Sequence, residues 1–493
     1  MQEREFRLFV GGEWIEPEGG RRFECVSPVD GSTWAMAPYA SVQQIDLAVR
    51  LAREAFEVGE WSRALPSRRA ELMRKLGSLI EQNVDELARI QVQENGKLIR
   101  EVHGQTLALA KYCYYYAGLA ETLHGDCIPL SMPDMLNYTV RVPVGVVAAI
   151  TPWNSPLSLL MWKMAPALAA GNAMVVKPSE FTPISTLMLA ELVEQAGFPP
   201  GVFNVVTGGA DTGGALVDHQ GINKIAFTGS TAVGKKIAEK AGSRLIRTTL
   251  ELGGKSANIV FDDVNLEEAA NGVLAGIFAA AGQTCLAGSR ALVHKDVYDE
   301  FAKILVEKTE RISIGDPQVM ATEMGTVACR PQYNKVLAYI DIAREEGAKL
   351  LTGGKKPSFA SEASLFVEPT IFGNVSNQMR IAQEEVFGPV LCLIPFESTD
   401  EAIQIANDTR FGLAAGVWTR DVKKAHKVAS RLNAGTVWVN TYRKTNYASP
   451  FGGIKESGLG RENGPDTMKE YTEVKSIWVN YGEPIKDPFN PRA

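Results

Sequence analysis

The sequence predicts an α/β protein built on two doubly wound, mostly parallel sheets with a small extra β element. Three observations carry this expectation. Short β-rich runs recur between residues 144 and 440, helical periodicities fill most of the gaps between them, and the series divides at a pair of glycines, Gly253 and Gly254. The 493 residues are 45% hydrophobic and 22% charged, so there is chain enough for about three domains at ~150 residues each, or two large ones with an accessory piece.

In chain order, the first part reads helical. Ser41 can cap a helix that sets Ile45, Ala48, Val49, Ala52 and Phe56 on one face. Pro66 starts a second, whose pattern runs on to about Glu94, with Gly96 as its stop. The first β-rich series is 144–150, 173–177, 202–206, 224–227 and 244–250, with helices expected at 157–170, 183–196, 211–218 and 231–241. The second is 256–260, 289–293, 390–396, 414–418 and 435–440, with helices near 265–279, 296–312, 331–346, 399–407 and 421–432. Two pieces fit neither series. Residues 126–145 read as a hairpin with Pro and Asp in its turn, and 473–483 read as one more strand. Bare edge strands invite pairing, and a second subunit would cover both.

Composition excludes several functions. The net charge is −6 and there is no long basic run, which argues against nucleic acid or an anionic membrane surface as a partner. The N-terminus lacks the apolar core of a secretion signal. Residues 142–162 carry no charge, yet Pro143, Pro152, Asn154 and Pro156 break the stretch, so it reads as buried strand, turn and helix rather than as a membrane span. Six cysteines without a C-x-x-C suit free thiols in a reducing cytoplasm, and no H-E-x-x-H occurs among the five histidines, so no metal is expected.

Five local patterns carry chemistry. FTGSTAVGKK (227–236) has the spacing of a P-loop, but Lys236 stands where a hydroxyl must reach Mg²⁺. The loop still sits between a strand and a helix. Either Ser230 or Thr231 caps that helix, or its N-terminus and Ser230 hold a pyrophosphate without metal; these ten residues leave both open. In FAAAGQTCLAGSR (278–290), Cys285 is either a buried small apolar residue or a thiol held out of the core by Gly282 and Gly288. In LELGG, Glu251 ends a strand as an ion-pair partner or as a carboxylate of shifted pKa. In PWNSP, Asn154 lies in a strand-to-helix loop, as a helix cap or as a donor to a developing oxyanion. Lys177 and Glu180 of KPSE close another strand of the same sheet, as a solvated pair or beside a ligand.

PWNSP, VVKPSE, FTGSTAVGK, LELGGKS, GQTC, EEVFGP and SPFGGIKESGLGRE occur in this order, and together they resemble the NAD(P)-dependent aldehyde dehydrogenase superfamily of the non-acylating, hydrolytic type over essentially the whole chain. The resemblance implies roles. Cys285 would be the nucleophile, Glu251 the general base, and Asn154 with the Cys285 backbone N–H the oxyanion hole. Lys177 and Glu180 would bind the adenosine ribose, Ser230 and Gly229 the pyrophosphate, Glu385 the nicotinamide ribose, and Phe387 would pack near the nicotinamide. Ile150, Trp153, Leu252 and Gln332 would complete the cofactor site, with Lys335 beside Gln332; Glu462 would be a second carboxylate, in a proton relay.

It further implies an NAD-binding domain from 1–125 and 146–252, a catalytic domain from 253–463, and an oligomerisation hairpin and tail from 126–145 and 464–493. A homotetramer is expected, with a homodimer as the alternative. NAD is expected as cofactor, because the Glu180 carboxylate would repel a 2′-phosphate, with NADP possible. The substrate is expected to be a bulky, aromatic or polar-ended aldehyde. Its tunnel would be lined by Ser155, Leu159 and Trp162, by Ala279 and Ala281, and by Tyr442, Arg443, Lys444 and Thr445.

Overall fold

A computed structural model of the protein describes residues 5–485 and 488–489; the remaining residues of the expected tail, 486–487 and 490–493, lie outside that range. Two large sheets organise the molecule. The first has eight strands, in the order Glu13–Ile15, Leu8–Val10, Phe203–Val205, Ala173–Lys177, Val146–Ile150, Lys224–Thr228, Arg247–Glu251, Gly458–Leu459. Its five central strands are parallel. Numbered along the chain, they run 3-2-1-4-5, so the strand order reverses between Val146–Ile150 and Lys224–Thr228. Crevices for ligands open at such a reversal, outside the carboxyl ends of the strands. The loops that leave those two ends carry Asn154 and Ser230.

These strands form where expected because they are buried on both faces. Ala173–Lys177 is uncharged until its last residue, lies wholly inside, and is bounded by Asn172 and Pro178. The helix Pro156–Ala170 begins on a proline and ends at Gly171, whose φ of 93° only glycine adopts readily.

The second sheet has seven strands, in the order Lys349–Thr352, Thr370–Gly373, Val390–Phe396, Arg290–His294, Ala257–Val260, Ala414–Trp418, Thr436–Val439. All but the first run parallel to their neighbours. Residues 252–256 cross from one sheet to the other.

Four features differ from the sequence reading. The helix expected to run from Pro66 to about Glu94 is two helices, Pro66–Gln82 and Val84–Asn95. Asn83 divides them: its side-chain amide donates to Leu79 O at 2.8 Å, and its φ/ψ of −115°/18° leaves the helical region. A further helix, Ile99–Thr122, occupies residues to which the periodicity assigned nothing definite. The short strands at 8–10, 13–15, 22–26, 33–38, 349–352 and 370–373 also went unread.

Finally, the hairpin and the tail pair with each other within one chain. Met135–Pro143 takes Cys127–Ile128 on one side and Thr472–Asn480 on the other, the latter through nine antiparallel positions. The outer edge of Thr472–Asn480 stays open, with Val474 and Trp478 more than half exposed at 55% and 52%.

Candidate active site

Two cavities meet at Cys285. One, of about 150 Å³, opens at the carboxyl edge of the first sheet; the other, of about 420 Å³, runs along the helices Ile99–Thr122 and Pro156–Ala170. Cys285, Asn154 and Leu159 line both.

Cys285 follows an unusual piece of backbone. The helix Leu266–Phe278 ends in a tight turn in which Ala280 (φ 53°), Ala281 (φ 51°) and Gly282 (φ 73°) are successively left-handed. Each alanine costs about 1–2 kcal/mol in that conformation. At Gly282 a side chain would strike Gly388 O at 2.0 Å, so this turn is pressed against the EEVFGP loop. The thiol is half-buried. Burial pushes its pKa up to about 12, and the carboxyls of Glu251 and Glu385 add to the rise.

Asn154 is buried and its amide donates to Gln283 O at 2.8 Å, so it is fixed beside the thiol. It does not cap the following helix; Ser155 holds that position. Glu251 ends its strand 2% exposed, and neither carboxyl oxygen has a hydrogen-bond partner. The ion-pair reading of this residue therefore does not hold. Burial raises its pKa well above the carboxylate range and Glu462 adds to the rise, while Lys163 and Arg461 oppose it. Glu462 and Lys163 form a wholly buried pair at 2.5 Å, and Lys163 also donates to Thr228 Oγ1 at 2.6 Å. Lys163 escaped the sequence reading. The signal was available: it is a single charge in a helix whose other residues are all apolar or small, and a buried ammonium requires a partner.

The smaller cavity gathers Trp153, Gly229, Ser230, Leu252, Gln332 and Lys335 with Glu385 and Phe387. Trp153 and Phe387 meet edge to face at 5.3 Å. Glu385 accepts from Gly254 N at 3.0 Å, and its second oxygen lies where a side chain at Gly253 would sit, 2.7 Å away. Gln332 donates to the carbonyls of Val386 and Phe387 at 2.8 and 3.0 Å, which anchors that loop. Ser230 accepts from Val233 N at 3.4 Å, so it caps its helix as well as lining the cavity.

Lys177 and Glu180 pair at 3.3 Å just beyond the strand end, outside the lining of this cavity, and Ile150 is buried in the strand next to them. Lys235, the P-loop look-alike, binds Glu456 at 2.7 Å instead of facing the cavity. A dinucleotide suits this donor set: apolar rings for a flat base, a carboxylate with a free oxygen for a ribose diol, and a helix N-terminus for phosphate.

The larger cavity corrects the expected tunnel. Ser155, Leu159, Trp162, Arg443 and Thr445 line it, whereas Ala279, Ala281, Tyr442 and Lys444 do not. Tyr442 is buried beneath the site with its hydroxyl on Leu286 O at 3.0 Å, and the Lys444 carbonyl accepts from Trp438. The wall facing Ser155 comes from the unread helix 99–122 and from Lys97. Among the described residues one trio could hold a metal, Asp262, His294 and Asp296, none of which lines either cavity; Lys424 stands 4.0 Å from Asp262.

A thiol reached from two sides, with one approach at the switch point of a parallel sheet, marks an α/β enzyme that brings two small molecules together over a nucleophile. Comparison with known proteins narrows the class. The model of the aldehyde dehydrogenase family matches residues 14–477. The chain is 48% identical to DhaS of Bacillus subtilis (strain 168), covering 96% of this chain and 95% of that one. It is 43% identical to a betaine aldehyde dehydrogenase of Mesorhizobium japonicum, covering 98% of each. An aldehyde dehydrogenase from Bacillus cereus solved as its NAD⁺ complex superposes with a TM-score of 0.95 at 44% identity, over 97% of both chains. The protein belongs to the aldehyde dehydrogenase family and is an oxidoreductase that converts aldehydes to acids.

Proposed function

We propose that the protein oxidises an aldehyde to its carboxylic acid with NAD⁺ through a thiohemiacetal and then a thioester on Cys285, released by hydrolysis. The observation that carries this reading is the meeting of the two cavities at one thiol, beside Asn154. The sulfur attacks the aldehyde carbon, and its proton passes to Glu251. The oxyanion receives hydrogen bonds from the Asn154 amide and the Cys285 backbone N–H. Trp153, Phe387 and the Glu385 carboxylate would hold NAD⁺, which would supply the hydride acceptor. Glu251 first gives up the proton it received from the thiol and then, as a carboxylate again, takes a proton from the water that attacks the thioester; a buried carboxyl with a raised pKa is suited to both transfers near neutral pH. The Lys163–Glu462 pair is the route by which that proton leaves.

NAD rather than NADP is favoured by Glu180, which stays close to the Lys177 ammonium and offers a carboxylate where a 2′-phosphate would lie; the relative solved as an NAD⁺ complex supports the same choice. The substrate is a bulky, aromatic or polar-ended aldehyde, because Ser155 leaves room in a cavity of about 420 Å³ and Trp162 gives it a flat wall. Residues 1–125 with 146–252 form the cofactor domain, 253–463 the catalytic domain, and 126–145 with 464–493 the oligomerisation element of a homotetramer, with a homodimer as the alternative. The open edge of Thr472–Asn480, with Val474 and Trp478 exposed, supports that assignment. Among the described residues no helix is long and apolar enough to cross a membrane, and six unpaired cysteines suit the cytoplasm.

The test is Cys285→Ala, followed by NADH absorbance on a panel of aliphatic, aromatic and semialdehyde substrates. Turnover is expected to vanish while NAD⁺ binding, read by titration, survives. NADH formation well above background would overturn the assignment.

A further inference from the structure

Lys97 directly follows Gly96, where the helix Val84–Asn95 stops. It is 4% exposed, yet its side chain lines the larger cavity. Its ammonium donates to Gln105 Oε1 at 2.8 Å and to Ser155 Oγ at 2.9 Å. Both partners are neutral, and one of the three N–H groups is left over. An ammonium taken out of water without a hydrogen-bonded carboxylate is costly, and these two neutral acceptors recover only part of that cost.

A second cation shares the wall. Arg443 lines the same cavity, held by a left-handed backbone (φ 61°) and by a hydrogen bond to Ala275 O at 3.2 Å, again a neutral acceptor. Lys111 lies at the exposed rim. The opposing charge is Glu101, close enough for its field to stabilise both Lys97 and Arg443 but not hydrogen-bonded to either; one of its carboxyl oxygens is buried without a partner. Three cations against one carboxylate leave this wall positive. Burial and Arg443 both draw the Lys97 ammonium down, to about 8, against the opposing pull of Glu101.

The position matters as much as the charge. Ser155 follows Asn154 directly, so Lys97 is tied to the residue next to the amide that touches the Cys285 loop.

We propose that Lys97, Ser155 and Arg443 form an anion subsite, and that the preferred substrates are aldehydes carrying a carboxylate at the end remote from the carbonyl. The proposal rests on the reading of Cys285 as the nucleophile of an aldehyde-oxidising site, and it selects the anionic class among the polar-ended aldehydes. It disfavours aldehydes bearing a quaternary ammonium, such as the one for which the Mesorhizobium relative is named.

The experiment compares kcat/KM of the full-length enzyme with NAD⁺ for 4-oxobutanoate, butanal and betaine aldehyde, which carry an anion, no charge and a cation. The wild type is expected to favour 4-oxobutanoate over butanal by about tenfold or more, the scale of a charge-assisted contact, and to oxidise betaine aldehyde least. In Lys97→Met and in Arg443→Met the ratio of 4-oxobutanoate to butanal should fall towards one, mainly through KM, and Lys97→Arg should restore most of it. A wild type that oxidises butanal or betaine aldehyde as well as 4-oxobutanoate overturns the subsite and leaves the thiol chemistry standing; so do variants that fold and keep the wild-type ratio. The wild-type comparison needs no variant to fold. If none of the three aldehydes, nor any other on the panel, yields NADH, the parent reading falls and the subsite with it.

Discussion

At the scale of single residues, the proposed chemistry depends on groups whose surroundings favour the neutral form. The thiol of Cys285 is held neutral by burial and by two neighbouring carboxyls, with its pKa pushed up to about 12. The thiolate is the reactive form, so in the cofactor-free enzyme, at any pH below that value, its concentration rises about tenfold for each unit by which the pH is raised. Alkylation of Cys285 by iodoacetamide should therefore accelerate continuously from pH 7 to pH 10, with no plateau. Labelling followed by peptide mass spectrometry checks this; a rate that levels off near pH 8 would mean that the thiol is already activated without cofactor.

At the scale of elements, much of the fold was legible. Residues 390–396, 399–407 and 414–418 have their expected bounds because fully buried strands are unbroken apolar runs and the helix between them is capped by Ser398. The edge strands Glu13–Ile15 and Lys349–Thr352 were not legible: each is short, antiparallel to its neighbour and without a sustained alternation. The candidate site was legible at Cys285, in a helix-to-strand turn bracketed by Gly282 and Gly288, at Glu251, which ends its strand shortly before Gly253, and at Asn154, in a strand-to-helix loop between two prolines. It was not legible at Lys97, which looks like a loop lysine following a helix stop, nor at Ala280 and Ala281, whose left-handed backbone no residue type announces.

Long-range capping was hidden for a similar reason. The helix Ile184–Ala196 has no side-chain cap of its own; Glu94, from the helix Val84–Asn95, accepts from Ile184 N at 2.5 Å and Ser185 N at 3.2 Å. Glu94→Ala should destabilise the protein by about 1–3 kcal/mol, since two helix-end donors lose their acceptor. Glu94→Gln keeps an acceptor and should cost less. Burial lifts the Glu94 pKa to about 8, above its unfolded value of ~4.3, so the folded state holds the proton more tightly. The stability contributed by that protonated carboxyl is complete below pH ~4.3 and is lost as pH rises towards 8. The wild type should therefore lose Tm relative to Glu94→Gln between pH 5 and pH 8, as read by thermal denaturation; a difference independent of pH would contradict this.

At the scale of the whole molecule, the tail strand is the piece most easily removed. Ending the chain before Thr472 strips Met135–Pro143 of nine paired positions and takes away the exposed Val474 and Trp478. The shortened protein should show a smaller assembly than the full chain by light scattering coupled to gel filtration; an unchanged mass would remove the tail from the assembly. The same ordering of strands has a consequence for how the protein is made. Gly458–Leu459 closes the first sheet against Leu250 and Glu251, and Tyr471 and Thr472 reach back to residues 143 and 144. A chain emerging from the ribosome can wind the five central strands early, but the strand bearing Glu251 keeps a naked edge until the whole second sheet has been synthesised. During that interval the nascent protein resembles a nucleotide-binding fold with an adhesive flank, and its dependence on chaperones should be greatest there.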